Sequence, residues 1–357
     1  GKNWKWLGIL FSIFAALAAF GIGNAVQVGN IVTSVNDVIV AFNPGFSEES
    51  QSIVNLVLGI ALAVLTAVVL FGGIKRLGAV TERLVPVMAL IYIVCCLIVV
   101  IYYADTLPAV FHDIFTGAFS PAGVTGGACG SMILCITWGV KRGVFSNEAG
   151  LGSTPHAHAL AEVKDPHEQG VVAMIGVFVD TIIVVTMTAL VVLSVLYVGD
   201  GTLATGDYAT LTAETITKTN IAQLAFGQFF GANVGAWFVA ICLLFFAFST
   251  ILSWNLFAKL NVEWLFGKKA VLPFTIIALA FIFMGSLLSN DLVWELADMF
   301  NQLMVIPNAI ALFALSGAVL AIANAKHDKR ALDAAEERLE DQERAAINAM
   351  VEEDKRK

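Results

Sequence analysis

Apolar runs of about twenty residues recur along most of the chain, each long enough for a helix to cross a hydrocarbon layer of about 30 Å. Shorter polar segments separate these runs. The pattern predicts eight membrane-spanning helices, at Trp6–Val32, Ile53–Gly73, Leu84–Tyr103, Ala122–Val140, Val171–Val198, Val234–Phe257, Leu272–Leu288 and Ala297–Ala323. Two long segments, Val32–Ser52 and Gly199–Gly231, are predicted to be loops on one side of the membrane.

The composition supports a membrane environment. The 357 residues are 58% hydrophobic and 13% charged, and the mean hydropathy is +0.83. An ordinary soluble domain has roughly 25% charged residues, and its core could not bury this much apolar surface. The net charge of -8 offers no basic surface for nucleic acid. The five cysteines show no metal-binding spacing and are interpreted as small buried hydrophobic residues.

Lysine and arginine residues predict the orientation of the chain. Lys218 is the one basic residue predicted to lie outside, whereas the other loops that contain basic residues fall on one side. Basic loops stay in the cytoplasm, so both ends of the chain are predicted to be cytoplasmic. The residues on that side are Lys2, Lys5, Lys75, Arg76, Arg83, Lys141, Arg142, Lys164, Lys259, Lys268 and Lys269, together with those of the tail.

Two regions are predicted from the change in composition near residue 325. Residues 1–324 form the transmembrane domain, and residues 325–357 form a charged cytoplasmic tail rich in Ala, Glu, Lys and Arg. The tail is predicted to be a helix that lies on the cytoplasmic face or forms a coiled coil with a partner. The chain opens with Gly1 and reaches an apolar run within a few residues, which suggests that the true N-terminus is missing.

Polar residues inside the predicted spans are candidate binding residues, because an unpaired polar group is costly in hydrocarbon. Asn24 and Gln27 share one face of the first span, and their amides could bind a zwitterion or join neighbouring helices. Gly126, Gly127 and Gly130 open the fourth span. They predict either a broken helix that lines a binding site or a tight helix contact.

Hydroxyl groups in the sixth span are candidate ligands of a cation. Ser249 and Thr250 could supply oxygen ligands to Na⁺, although such hydroxyls often bond to carbonyl groups of their own helix. Thr250 and Trp254 share a helix face, as the wall of a small-ligand pocket would require. Asp180 in the fifth span could relay protons, hold a cation or have a structural partner.

Asp298 and Asn301 are predicted to lie near the outer end of the last span, where their side chains can reach water. The stretch Trp138–Ala159 is too rich in glycine for one helix and too apolar for a free linker. We expect it to pack against the helical bundle as a gate or hinge.

Three motifs carry a resemblance to a known family. They read W-G-V-K-R-G-V-F-S-N-E-A-G-L-G-S from Trp138, G-I-G-N-A-V-Q from Gly21 and F-A-F-S-T-I-L-S-W from Phe246. The sequence closely resembles the alanine or glycine:cation symporter family, over roughly residues 1–323 and including G-G-I-K-R-L-G-A-V-T from Gly72. The resemblance implies an all-α, leucine-transporter-type inverted-repeat bundle with ten core helices.

The resemblance also implies a function and a site. The eight spans would be core helices three to ten, with the first two absent from this chain. The family carries a small neutral amino acid, alanine or glycine, with Na⁺ across the bacterial plasma membrane. Asn24 and Gln27 would flank the substrate, Trp254 would wall its pocket, and Gly126, Gly127 and Gly130 would form an unwound helix. Ser249 and Thr250 would bind sodium, and no other cofactor is expected.

Three alternatives remain. The first is a proton-coupled symporter of the same fold, and the second is an ion channel. The third is an intramembrane hydrolase or His-x-His metal site that uses Ser146, Ser153, His156 and His158. Neither a G-x-S-x-G nor an H-E-x-x-H motif supports the third, so the chain is not expected to be an enzyme.

Overall fold

A computed structural model describes residues 4–119, 128–164, 166–204, 220–288 and 290–325. These residues form helices and connecting turns, with no strand among them. The helices are α1 Lys5–Phe42, α2 Glu48–Leu70, α3 Gly73–Tyr102, α4 Leu107–Phe119, α5 Ala128–Asn147, α6 Pro155–His158, α7 Pro166–Tyr197, α8 Ile221–Phe230, α9 Ala232–Phe266, α10 Val271–Gly285 and α11 Asn290–Ala325. A wider π-helical turn interrupts α1 at Ala19–Ala25, and two more lie in α7, at Phe178–Val185 and Leu193–Tyr197.

Seven of the eight predicted spans are matched by helices long and apolar enough to cross a membrane. The fourth prediction, Ala122–Val140, begins in residues that the structure does not describe, and its helix α5 is not among the seven. The protein is thus a multi-pass helical membrane protein, and the number eight stays a prediction. Large apolar side chains such as Phe313 and Met174 are exposed on the outer faces of the helices, where lipid would cover them.

The first predicted external loop is much shorter than expected. Helix α1 continues ten residues beyond Val32, as far as Phe42, and α2 begins at Glu48, so the loop prediction Val32–Ser52 is wrong. Some of the polar residues that interrupt the apolar run have partners inside the bundle. Asn36, for example, donates a 2.7 Å hydrogen bond to Asn55 on α2. Hydropathy alone does not reveal such pairing, which allows the helix to continue.

Helix α5 likewise continues past its predicted end at Val140. Lys141 forms a 2.5 Å ion pair with Asp298 of α11, and the Arg142 guanidinium stacks on the Trp294 ring at 4.6 Å. The prediction that Lys141 and Arg142 lie in a basic loop is therefore wrong, because both lie on a helix and are paired. The prediction that Asp298 and Asn301 simply reach water is also wrong, since Asn301 is only 7% exposed.

The centre of the bundle is formed by α1, α9 and α11. Small residues of α1, among them Ala15, Ala18 and Ala19, let the other two helices approach closely, and Trp254, Phe257 and Met304 fill the space between them. The π-helical turn of α1 contacts α9, α10 and α11. This arrangement places the polar residues of the turn at the centre of the protein. The predicted tail, which starts at residue 325, lies almost wholly outside the described residues.

Candidate functional site

A break between helices α5 and α6 lies beside the centre of the bundle. Glu148, Gly150 and Gly152 have φ angles of 55°, 90° and 84°, so the chain cannot continue as a regular α-helix. Position 152 also has no room for a side chain, because a Cβ atom on Gly152 would lie 2.7 Å from the Phe11 ring. Leu151, Gly152 and Ser153 are buried. The stretch therefore packs against the bundle as predicted, and its role as a gate or hinge stays a prediction.

The Glu148 carboxylate links this break to helix α9. It accepts a 3.0 Å hydrogen bond from Trp254 Nε1 and a 2.5 Å hydrogen bond from Ser153 Oγ. Burial raises the pKa of the Glu148 carboxyl, and the nearby charge of Asp180 adds to the rise. The two hydrogen bonds oppose it. Glu148 belongs to the longest sequence motif, but sequence reasoning did not select it as a site residue.

Trp254 lies against the π-helical turn of α1. A Cβ atom placed on Gly23 would lie 2.4 Å from Trp254 Cβ, so this contact requires glycine. The neighbouring Asn24 is fully buried, and its Oδ1 accepts a 2.7 Å hydrogen bond from Asn255 Nδ2. Two predicted substrate residues, Asn24 and Trp254, are thus brought to one interface. Asn255, which sequence reasoning missed, connects them.

The remaining predicted residues lie near this interface or outside the described chain. Gln27 Nε2 donates to the Ile22 carbonyl at 3.1 Å, across the π-helical turn. Ser249 and Thr250 donate to the same carbonyl, that of Phe246, at 2.8 and 2.9 Å. Their oxygen lone pairs remain available to a cation.

The predicted break in the fourth span is covered by the structure only in part. Gly126 and Gly127 lie outside the described residues, and Gly130 lies in the first turn of α5. The break that the structure describes comes after this helix, at Glu148–Thr154. The roles of these glycines in binding remain predictions.

Asp180 has a structural partner. Its Oδ2 accepts hydrogen bonds from Ser146 Oγ at 2.7 Å and from Thr181 Oγ1 at 3.2 Å. Asn147 Nδ2 donates to Thr181 Oγ1 at 3.2 Å, which gives a second contact between the end of α5 and α7. This acid therefore helps to fix the position at which α5 ends.

The histidines of the hydrolase or metal alternative do not form a shared site. His156 Nε2 accepts a hydrogen bond from Asn261, and its ring stacks on Phe11. His158 Nδ1 instead accepts from Gln169 at 2.8 Å. Within the described ranges, no group of three or more His, Cys, Asp or Glu residues could hold a metal ion.

Comparison with known proteins identifies the family. The sequence profile of the sodium:alanine symporter family matches residues 1–340. The sodium/alanine symporter AgcS of Methanococcus maripaludis is 38% identical over 326 residues, which cover 91% of this chain and 66% of that protein. The amino-acid carrier protein AlsT of Bacillus subtilis is 35% identical over 341 residues, covering 93% of this chain and 66% of that protein.

A further relative is named for a different amino acid. The probable sodium/glutamine symporter GlnT of Bacillus subtilis is 35% identical over 324 residues, which cover 89% of this chain and 61% of that protein. The chain thus spans about two thirds of the length of these relatives. The profile match and the similarity to AgcS together show that the chain belongs to the sodium:alanine symporter family, a family of transporters and not of enzymes.

Proposed function

We propose that this chain forms the greater part of a secondary active transporter that carries a small neutral amino acid, alanine or glycine, into the cell with Na⁺. The observation that carries the proposal is the hydrogen bond between the helix break at Glu148–Thr154 and Trp254, whose side chain lies against the π-helical turn of α1. Non-helical backbone within a membrane protein is tolerated where it is buried or lines a cavity, and in transporters such breaks form the binding site.

The proposal assigns the bundle to the leucine-transporter type of fold. Eight spans, among them α5, would correspond to core helices three to ten. Both ends of the chain would lie in the cytoplasm of a bacterium. The break after α5 would then bring peptide groups and the Glu148 carboxylate to the level of Trp254. Free N–H groups near a helix end suit the substrate carboxylate, and carbonyl oxygens suit a cation.

The proposed site uses residues that already have partners within the protein. Asn24 and Gln27 would bind the amino acid, Trp254 would cover it, and Ser249 and Thr250 would ligate sodium. Since the amides of Asn24 and Gln27 are already hydrogen-bonded, substrate would replace these bonds rather than satisfy unpaired groups. Such an exchange favours reversible binding, which transport requires.

Proton coupling is a second candidate function. Glu148 favours it, because burial raises the pKa of this carboxyl and because it lies at the helix break. A raised pKa allows a carboxyl to bind and release protons nearer to neutral pH. One relative, YrbD of Bacillus subtilis, is named a putative sodium/proton-dependent alanine carrier protein, with 34% identity over 92% of this chain and 66% of that protein.

The test is uptake by the full-length protein in proteoliposomes. Labelled alanine, glycine and glutamine are offered separately under an inward Na⁺ gradient, an inward proton gradient, or neither. We expect alanine or glycine to accumulate under the Na⁺ gradient and not after a sodium ionophore is added. Accumulation driven only by the proton gradient would favour the second candidate. Downhill flux with no accumulation under either gradient would contradict both and indicate a channel.

A further inference from the structure

A second polar site lies at the opposite end of α1 from the chain's first residues. A cavity of about 630 Å³ opens there between the last turns of α1, helix α8 and the first turns of α9. Its lining includes Asp37, Thr202, Gln223 and Gln228. The predicted orientation places this end of the bundle outside the cell. None of the residues assigned to the amino acid or to sodium above lines this cavity.

Gln223 carries the strongest sign of a missing ligand. Its side chain is 5% exposed, and its Nε2 donates to Ser34 Oγ at 2.9 Å and to the Ser34 carbonyl at 3.2 Å. These bonds fix the orientation of the amide and direct Oε1 away from Ser34. That oxygen is buried and has no hydrogen-bond partner in the described part of the chain. A buried polar atom without a partner destabilises the folded protein, and a ligand bound to this oxygen would remove that cost.

Asp37 adds a negative charge to the same cavity. It follows Ser34 by three residues and shares its helix face, so the Gln223 bonds to Ser34 bring the two side chains to neighbouring positions. Asp37 Oδ2 is also buried without a hydrogen-bond partner, as far as the described residues go. An ionisable residue within a membrane-spanning helix indicates a functional site by default.

The chemistry of these atoms selects the kind of ligand. Asp37 and Gln223 line the cavity, and each has a buried oxygen that lacks a partner in the described part of the chain. The Thr202 hydroxyl, which donates to Gln228 Oε1 at 3.4 Å, adds further oxygen atoms to the lining. Carboxylate, amide and hydroxyl oxygens are the ligands that hard cations prefer. An anion would be repelled by Asp37, and an apolar ligand would leave both buried oxygens unsatisfied.

We propose that Asp37 and Gln223 form a binding site for a small monovalent cation, either Na⁺ itself or the ammonium group of an amino acid. The site is separate from the Ser249 and Thr250 hydroxyls. Ala236, whose carbonyl accepts from Gln223 Nε2 at 3.4 Å, precedes Ser249 by about 20 Å along α9. The proposal concerns binding alone and does not depend on which solute the protein transports.

Binding of ²²Na⁺ to the purified full-length protein, without any amino acid, tests the proposal. Asp37→Asn keeps the size of the side chain and removes its charge. We expect this variant to bind one Na⁺ fewer per protein, or to bind one Na⁺ at least about tenfold more weakly, because affinity follows the charge of the ligand set. Asp113→Asn is the matched control, since Asp113 is a largely exposed acid on α4 and should leave binding unchanged. Unaltered stoichiometry and affinity for Na⁺ in Asp37→Asn, together with unaltered binding of methylammonium and alanine, would overturn the proposal.

Two further arms separate the sources of the cation and guard against misfolding. Methylammonium and alanine are offered in choline buffer without sodium, and loss of their binding in Asp37→Asn would assign the site to the amino group.

If Asp37→Asn is not monodisperse, Ala41→Leu, which fills part of the cavity without changing charge, decides the question. Unchanged cation binding in Ala41→Leu would then refute the site, whereas weakened binding supports it.

Discussion

Trp254 Nε1 donates a 3.0 Å hydrogen bond to the Glu148 carboxylate, and this bond joins helix α9 to the break that follows α5. The same indole lies against Gly23 in the π-helical turn of α1. This one side chain of α9 therefore contacts both of the other parts of the protein that the proposed binding site requires. Movement of the break away from α9 would rupture this bond, so the pair couples the backbone of the break to the centre of the bundle.

Trp254→Phe should weaken this coupling. Phenylalanine keeps much of the ring contact with Gly23 but cannot donate to Glu148. A hydrogen bond to a charged group contributes about 1.5–3 kcal/mol, so we expect alanine affinity to fall roughly ten- to a hundredfold. Binding of labelled alanine to the purified full-length protein measures the change. Trp264→Phe on the same helix is the control, because Trp264 is 55% exposed. Equal affinities in the two variants would argue against the coupling.

Glu148→Gln should change the pH dependence of stability. Burial raises the pKa of this carboxyl in the folded protein, so the folded state binds a proton more tightly than the unfolded state does. Stability is therefore greatest below the unfolded pKa and falls as pH rises from there through the folded pKa. The slope of this fall is at most about 1.4 kcal/mol per pH unit for one proton. Glutamine does not titrate, and its side-chain oxygen can still accept from Trp254.

Thermal unfolding of the full-length protein would measure this difference, in steps of roughly one pH unit upward from the ordinary pKa of a glutamate carboxyl. We expect the wild type to lose more stability than Glu148→Gln as pH rises. Glu82→Gln is the control, because Glu82 is exposed on α3 and its replacement should leave the pH profile of the wild type intact. Parallel profiles for wild type and Glu148→Gln would show that Glu148 does not contribute.

Gly23→Ala should disrupt the packing of the bundle. The added Cβ atom would lie 2.4 Å from Trp254 Cβ. Because that Cβ atom is bonded directly to the backbone, it cannot move aside unless α9 shifts. Overpacking of this kind typically costs about 1–3 kcal/mol. Gly78→Ala on α3 is the matched control, since no heavy atom would lie within 4 Å of the new Cβ and alanine is the better helix former. Melting temperatures of the two variants should move in opposite directions, and a Gly23→Ala protein as stable as wild type would contradict the close contact.

Gln27→Ala should weaken alanine binding more than sodium binding. Its Nε2 donates to the Ile22 carbonyl within the π-helical turn that contains Asn24, so the amide lies at the proposed amino-acid site. Loss of one such hydrogen bond corresponds to about 0.5–1.5 kcal/mol, or roughly two- to tenfold in affinity. Separate titrations with labelled alanine and ²²Na⁺ test this, with Gln302→Ala, an exposed glutamine on α11, as control. Equal losses for both ligands would point to a structural role.

The positions of the long helices could be predicted from the sequence because each depends on its own composition. Seven of the eight predicted spans coincide with helices of sufficient length and hydropathy. The predicted ends of the helices are less accurate where a charged residue lies within a helix. Lys141 and Asp37 interrupt apolar runs, yet both lie on continuous helices. The pairing of Lys141 with Asp298 joins residues 157 positions apart, which no local pattern contains.

The contacts of the site depend on long-range packing in the same way. The sequence selected Asn24 and Trp254 from their unusual positions within spans. It could not show that Asn255 would bond to Asn24 or that Glu148 would accept from Trp254, since those pairs are separated by 231 and 106 residues. Glutamate in a glycine-rich segment resembles an ordinary loop residue until its partners are known. The cavity at Asp37 likewise requires α1, α8 and α9 to be assembled.

Ser249→Ala combined with Thr250→Ala should raise the Na⁺ concentration needed for alanine uptake. Both hydroxyls donate to the Phe246 carbonyl, which leaves their oxygen lone pairs to serve a cation, and alanine removes the oxygen atoms with little loss of packing. Loss of two oxygen ligands from one ion predicts an increase of about tenfold or more in the half-saturating Na⁺ concentration. Uptake in proteoliposomes at varied Na⁺ measures it. Thr275→Ala is the control, because the Thr275 hydroxyl makes the same kind of bond, to Val271, on the separate helix α10. If the double variant and the control require the same Na⁺ concentration, Ser249 and Thr250 do not bind the coupling ion, and their hydroxyls only satisfy the helix backbone.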